Sequence, residues 1–296
     1  MPIVPQIAQR SLATGLSLNT VQWSSPLTHT GTPLVLVHGL ASNARLWDGP
    51  ARALAALGHP VIAIDQRGHG HSDKTDSGYD MATITDDLAT LLEDLRTDGW
   101  DRPVVIGQSW GGNVVIELAW KYPALVRGVC GVDGGTIELS EYFPDWNDCK
   151  KVMAPPRIAG MKHDTLHAAI AASHSDWSAE AIAGAMSNME RLDDGTIRPW
   201  LTFDRHILVL HGLWQHRPSE RFGQISVPVM FTPAASSATI DDDMTRNKIA
   251  ALDLANSQLS SCRVEWFRPA DHDLHAQHPQ RFADVIHAAC SDGFFS

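Results

Sequence analysis

The chain has 296 residues, 44% hydrophobic and 19% charged, as expected of a soluble globular protein with one large domain and an insertion, or two domains. A formal net charge of −11 and no basic stripe argue against nucleic acid or an anionic membrane as partners. No run reaches the roughly 18 apolar residues of a membrane span, and residues 1–16 lack the basic and long apolar segments of a secretory leader. With Cys130, Cys149, Cys262 and Cys290 scattered and no CxxC, a cytoplasmic protein with reduced thiols is expected.

Pro33-Leu34-Val35-Leu36-Val37 is the first apolar, β-branched run, and it leads into His38-Gly39. A helical pattern follows over Leu46 to Leu57. A second run, Pro60 to Ile64, enters the polar turn Asp65-Gln66-Arg67-Gly68, and a second helix is predicted over Met81 to Arg96. Pro103-Val104-Val105-Ile106 is a third strand, followed by Gly107-Gln108-Ser109-Trp110-Gly111-Gly112 and a helix over Asn113 to Tyr122. Val126 to Val132 runs into Asp133-Gly134-Gly135. Near-continuous apolar strands are those covered on both faces, and their alternation with helices predicts an α/β fold with a doubly wound, mostly parallel sheet. Ligands in such sheets bind at the carboxyl ends of the strands, where these Gly- and His-bearing turns fall.

From Thr136 to about Phe222 the pattern is helical and irregular, with Trp146, Trp177, Trp200, Trp214 and a Met-bearing helix from Ala179 to Arg191. Strand signals resume at Val227 to Phe231 and at Arg263 to Phe267. The expected organisation is therefore a core of residues 1–135 and 223–296 with a helical cap, residues 136–222, inserted between them.

Gly107-Gln108-Ser109-Trp110-Gly111 is a G-x-S-x-G sequence between a predicted strand and a predicted helix. At such a corner the backbone is strained and pushes the serine hydroxyl out of the sheet, and glycines two residues either side leave room for the turn. Together with His38-Gly39-Leu40, the Asp65 to Asp73 segment, and His272 followed by Pro279-Gln280-Arg281-Phe282, this corner makes the chain resemble the α/β-hydrolase-fold superfamily, serine-hydrolase type with a helical cap. The resemblance implies a nucleophile at Ser109 and needs no cofactor or metal. It places the base on the loop after the last strand, where His272 stands. His275 and His278 follow, but their spacing is loose for a metal site. The oxyanion donors are expected to be the backbone N–H groups of Leu40 and Trp110.

The triad acid departs from the family. The strand at Val229 to Phe231 is followed by Thr232-Pro233-Ala234-Ala235, with an alanine such as Ala235 in the usual slot of the aspartate. Two carboxylates are candidates. Asp133, at the end of the preceding strand, is preferred, with capping of the loop as its structural alternative. Asp241 is the other, with a helix N-terminal acidic cluster as its alternative. Arg67 and Asp73 are expected in structural pairs. His38, Trp47 and Trp146 are candidate substrate contacts, though aromatics of this kind also serve as plain packing.

The leading expectation is a serine hydrolase acting on a small, mostly apolar ester or lactone. An amidase or iminopeptidase, a carbon–carbon bond hydrolase, a lyase or cyclase, and a non-catalytic ligand-binding protein remain open. Serine at the elbow argues against relatives that displace through a carboxylate, such as epoxide hydrolases. Oligomeric state is not legible.

Overall fold

The computed structural model describes residues 3–23, 31–240 and 242–296. In chain order the strands of the main sheet are β1 (Gln6–Ser11), β2 (Ser17–Trp23), β3 (Leu34–Val37), β4 (Val61–Ile64), β5 (Val104–Gln108) and β6 (Gly128–Val132). The helices α1 (Asp48–Ala56), α2 (Met81–Thr97) and α3 (Trp110–Lys121) lie between them. The hairpin strands β7 (Met189–Arg191) and β8 (Ile197–Pro199) stand apart, and β9 (Val229–Thr232) and β10 (Cys262–Val264) complete the sheet. Strand order is β1-β2-β4-β3-β5-β6-β9-β10. From β4 to β10 the pairing is parallel; β1 and β2 are antiparallel to their neighbours.

Each inner strand is apolar on both faces, which explains the unbroken runs in the sequence. Leu34, Leu36, Val61, Ala63, Val104 and Ile106 face one side, against Ala51 and Leu54 of α1 and Phe282 and Ile286 of the last helix. Val35, Val37, Ile62, Ile64 and Val105 face the other, against Leu88 and Leu92 of α2 and Val115 and Leu118 of α3. The doubly wound α/β sheet is therefore the fold of the chain.

Between β6 and β9 stand α4 (Leu139–Tyr142), α5 (Trp146–Met153), α6 (His163–Ser173), α7 (Ala179–Met186), the β7–β8 hairpin and α8 (Phe203–Gln215). The remaining helices are α9 (Asp243–Gln258), α10 (Leu274–Gln277) and α11 (Pro279–Ser291). Asn113 of α3 ties both ends of the inserted segment to the sheet. Its Oδ1 accepts from Gly135 N at 3.0 Å, while its amide donates to Ile137 O at 2.7 Å and to His216 Nδ1 at 3.0 Å. His216 Nε2 in turn donates to Glu117 Oε2 at 3.1 Å.

Two predicted elements differ in the structure, and one hairpin was not predicted. The helix expected from Ala179 to Arg191 stops at Met186, because Met189–Arg191 pairs with Ile197–Pro199. Their turn is set by Gly195 at φ +78° and by Asp194 Oδ1, which accepts from Thr196 N. The last strand is shorter than Arg263 to Phe267: its ladder covers Cys262–Val264, and Phe267 forms an isolated bridge to Ala234. The β1–β2 hairpin was not legible, since the exposed, polar β1 carries no apolar signal.

The serine corner is packed backbone to backbone. A β-carbon on Gly107 would lie 2.0 Å from Gly111 O, and one on Gly111 would lie 2.5 Å from His38 O. Gly107→Ala is expected to cost more than about 3 kcal/mol in urea unfolding. Gly223→Ala, where nothing lies within 4 Å, is expected to stay within about 0.5 kcal/mol. A cost below about 1 kcal/mol for Gly107→Ala would contradict this packing.

Candidate active site

Ser109 follows β5 and precedes α3 at φ 53° and ψ −119°, a left-handed conformation that costs a non-glycine residue roughly 1–3 kcal/mol. The strain is held by the sheet on both sides. Ser109 N donates to Val132 O at 2.9 Å, and its carbonyl accepts from Gly112 N at 2.9 Å. The neighbouring strand ends in the same way: Asp133 sits at φ 40°, its N–H donating to Thr232 O at 3.0 Å.

Asp133 is buried, with its side chain 2% exposed, and a buried carboxylate needs partners for every oxygen. Oδ2 accepts from His272 Nδ1 at 2.6 Å. Oδ1 accepts from Ala234 N at 2.9 Å and from Lys248 Nζ at 2.7 Å, and Lys248 also reaches Oδ2 at 2.9 Å. Lys248, on α9, makes a third bond to Ala234 O at 3.0 Å. Burial works to raise the Asp133 pKa, but the hydrogen bonds and charges of His272 and Lys248 outweigh it and hold the group below its ordinary value.

The bond to Asp133 occupies His272 Nδ1 as a donor and leaves Nε2 as the acceptor. For His272 burial lowers the pKa, while the Asp133 hydrogen bond and charge raise it, and the net direction is upward. Lys248 acts in the opposite sense on the same imidazole.

His272 and Ser109 line one cavity of about 190 Å³. Leu40, Ser42, Gln108 and Asp273 contribute to it from the core; Ile170, His174, Trp177 and Asn188 reach it from the inserted segment. No hydrogen bond joins Ser109 Oγ to His272 among the described residues; such contacts commonly tighten only when substrate binds. A larger cavity of about 320 Å³, between α4 and α9, contains neither group.

The loop after β3 is fastened beside Ser109. His38 Nδ1 donates to Gly39 O at 2.7 Å and its Nε2 accepts from Gln66 N at 3.0 Å, which fixes the neutral tautomer. Asp65 accepts from Ala44 N at 2.8 Å and from His71 N at 2.9 Å, and His69 Nε2 accepts from Ala41 N at 3.3 Å. Gly39 lies so close that a β-carbon there would be 3.0 Å from the Ser109 β-carbon. Among the described residues neither Leu40 N–H nor Trp110 N–H donates to a protein acceptor, so two backbone donors remain unused beside Ser109.

The α/β-hydrolase-fold family model matches residues 32–156. The crystal structure of E-2-(acetamidomethylene)succinate hydrolase superposes with a TM-score of 0.75 at 23% identity, over 98% of this chain and all of that one. The chain has the α/β-hydrolase fold. A thioesterase domain from the curacin biosynthetic pathway shares this fold with a TM-score of 0.74 at 18% identity, covering 96% of this chain and 99% of the domain. In sequence, the chain is 36% identical over 104 residues to 2-(acetamidomethylene)succinate hydrolase of Mesorhizobium japonicum, covering 35% of this chain and 36% of that one. It is 34% identical over 110 residues to epoxide hydrolase B of Mycobacterium tuberculosis, covering 36% and 30%. The match thus spans about a third of the length of these curated relatives.

Ser109, His272 and Leu40 line one cavity, Trp110 follows Ser109 in the chain, and Asp133 is bonded to His272. Ala235 is buried at the end of β9, its N–H donating to Phe267 O, and the place beside His272 is taken by Asp133. Asp241 lies outside the described residues; its neighbour Asp242 caps α9 by accepting from Thr245 N at 2.7 Å. Three expected substrate contacts do not line the Ser109 cavity. His38 is spent on the loop bonds above. Trp47 is buried against His275, 4.1 Å between ring centroids, and against Phe282. Trp146 packs on His211 and Trp214 at the far end of the insertion. Arg67 forms a two-pronged bond to Asp87 at 2.7 Å, and Asp73 accepts from Ser17 N at 2.7 Å. Among the described residues no cluster of His, Cys, Asp or Glu is placed to hold a metal. Burial holds His275 down to about 3.

Lys248 was missed because no motif marks it, and only its position on the helix after the acid-free β9 gave a hint. Its effect on His272 can be measured. If His272 serves as a general base, which must be neutral, the acid limb of kcat/KM follows its pKa. Lys248→Met removes a charge that depresses that pKa, so the acid limb is expected at higher pH than in the wild type; an unchanged or lower position would contradict the assignment.

Proposed function

We propose that this chain is a serine hydrolase acting on a small carboxylic ester through an acyl-enzyme on Ser109. The observation that carries the reading is the 2.6 Å bond to the buried Asp133 from Nδ1 of His272, which lines the same cavity as Ser109. His272 Nε2 takes the Ser109 proton as Oγ attacks the acyl carbon, and the imidazolium so formed is stabilised by Asp133. The N–H groups of Leu40 and Trp110 receive the oxyanion. The imidazolium then protonates the leaving alkoxide, and His272 activates water to release the acid.

An oriented base beside a strained serine favours turnover over a non-catalytic binding role. A serine at the elbow favours acyl transfer over displacement by a carboxylate. The cavity volume supports a small substrate, and Ile170, His174 and Trp177 support the reading of the inserted segment as a cap. The succinate in the relative's name is a dicarboxylate, and the lining of this cavity contains no arginine or lysine among the described residues, so that substrate is not carried over.

A fluorophosphonate probe is expected to label Ser109 once per chain, seen by intact mass, and Ser109→Ala is expected to abolish labelling. A folded wild-type chain that fails to label would overturn the reading. Among 4-nitrophenyl esters, acetate to butanoate are expected to be turned over faster than octanoate. Asp133→Asn is expected to lower turnover by about ten-thousand-fold, as loss of the acid does in serine proteases; a loss under about tenfold would remove Asp133 from the triad.

A further inference from the structure

Asp273 follows His272 and lines the same cavity. Its carboxylate accepts no hydrogen bond from any described residue, and it does not cap α10. The other acidic groups nearby are already matched. Asp133 is bound by Lys248 and His272, and Asp271 accepts from His174 Nδ1 at 3.1 Å and Trp177 Nε1 at 3.3 Å. Asp273 is therefore an acid left without a partner beside the nucleophile. Asp273 is half-buried at the cavity wall; partial burial and the neighbouring Asp133 and Asp271 push its pKa up, while the imidazoles of His272 and His174 oppose them. The cavity lining supplies neither arginine nor lysine to balance the carboxylate.

We infer that Asp273 is a specificity residue, which selects esters or amides bearing a cationic amine near the scissile acyl carbon and rejects those bearing a carboxylate. This deepens the serine-hydrolase reading and rests on it for the cleavage step, but not for binding. An ammonium group of the ligand would donate to the free Asp273 oxygens in a charge-assisted hydrogen bond, a contact stronger than a neutral one. A second carboxylate would meet Asp273 with no cation between them. The geometry thus favours an amino-acid ester or amide over the neutral substrate expected from the sequence.

Binding separates this inference from the catalytic one. In the Ser109→Ala variant, the benzyl esters of butanoate, 2-aminobutanoate and hydrogen succinate are size-matched neutral, cationic and anionic probes whose Kd is read by calorimetry. The cationic ester is expected to bind about tenfold or more tightly than the neutral one, and the anionic ester more weakly than either. In Ser109→Ala/Asp273→Asn the cationic-to-neutral ratio is expected to fall at least about tenfold, with the anionic ester gaining relative to both. Equal binding of the three esters by Ser109→Ala, or an equal change in all three on adding Asp273→Asn, would overturn the inference. Because the first comparison needs no change at Asp273, a misfolded double variant does not decide the matter. Failure of Ser109 to label in the wild type would instead strike the catalytic reading and leave these ratios standing.

Discussion

The hydrogen bond between His272 and Asp133 joins two strand ends that are not adjacent in the sheet. Asp133 closes β6, beside the serine strand β5, while His272 follows β10 at the sheet edge, with β9 between them. The bond holds the imidazole in one tautomer, and that tautomer alone leaves Nε2 as the acceptor that a serine needs. In the proposed mechanism the orientation of the base and the direction of proton transfer depend on it. The strained backbones of Ser109 and Asp133 are tolerable because the parallel ladder and the glycine-tight corner hold both strand tips.

Moving the acid one strand inward has an electrostatic consequence. Asp133 at the tip of β6 is 2% exposed, and burial on that scale demands more than an imidazole as partner. Lys248 and Ala234 N–H supply the rest. The lysine stabilises Asp133 but shares its charge, so the imidazolium is held less strongly than by a carboxylate of its own. The His272 pKa still lies above the ordinary value, which places the balance on the side of Asp133.

Much of this was legible in the sequence, for identifiable reasons. Apolar strands covered on both faces announce a parallel sheet by composition alone, and the G-x-S-x-G corner is constrained by backbone contacts that only glycine permits. The place of His272 on the loop after the last strand was legible by chain order, and that of Asp133 at the crevice because β6 ends beside β5. The rest depends on long-range packing that leaves no local trace. Lys248 meets Asp133 from a helix 115 residues away. His174, Trp177 and Asn188 reach Ser109 from an insertion whose helices carry no periodic signal of their destination. Trp47 and Trp146 misled because an aromatic near the crevice in sequence can still turn into the core, as Trp47 does against His275 and Phe282. Asp273 was open to view in Asp271-His272-Asp273, yet only the structure separates the partnered acid from the free one.

The most direct test of the account is a crystal structure of the chain with a phosphonate bound covalently to Ser109. The account predicts Asp133 at hydrogen-bond distance from His272 Nδ1, Lys248 still bound to Asp133, and the phosphoryl oxygen accepting from the N–H groups of Leu40 and Trp110. Another carboxylate at His272 Nδ1, Asp241 among them, with Asp133 left to Lys248 alone, would contradict it.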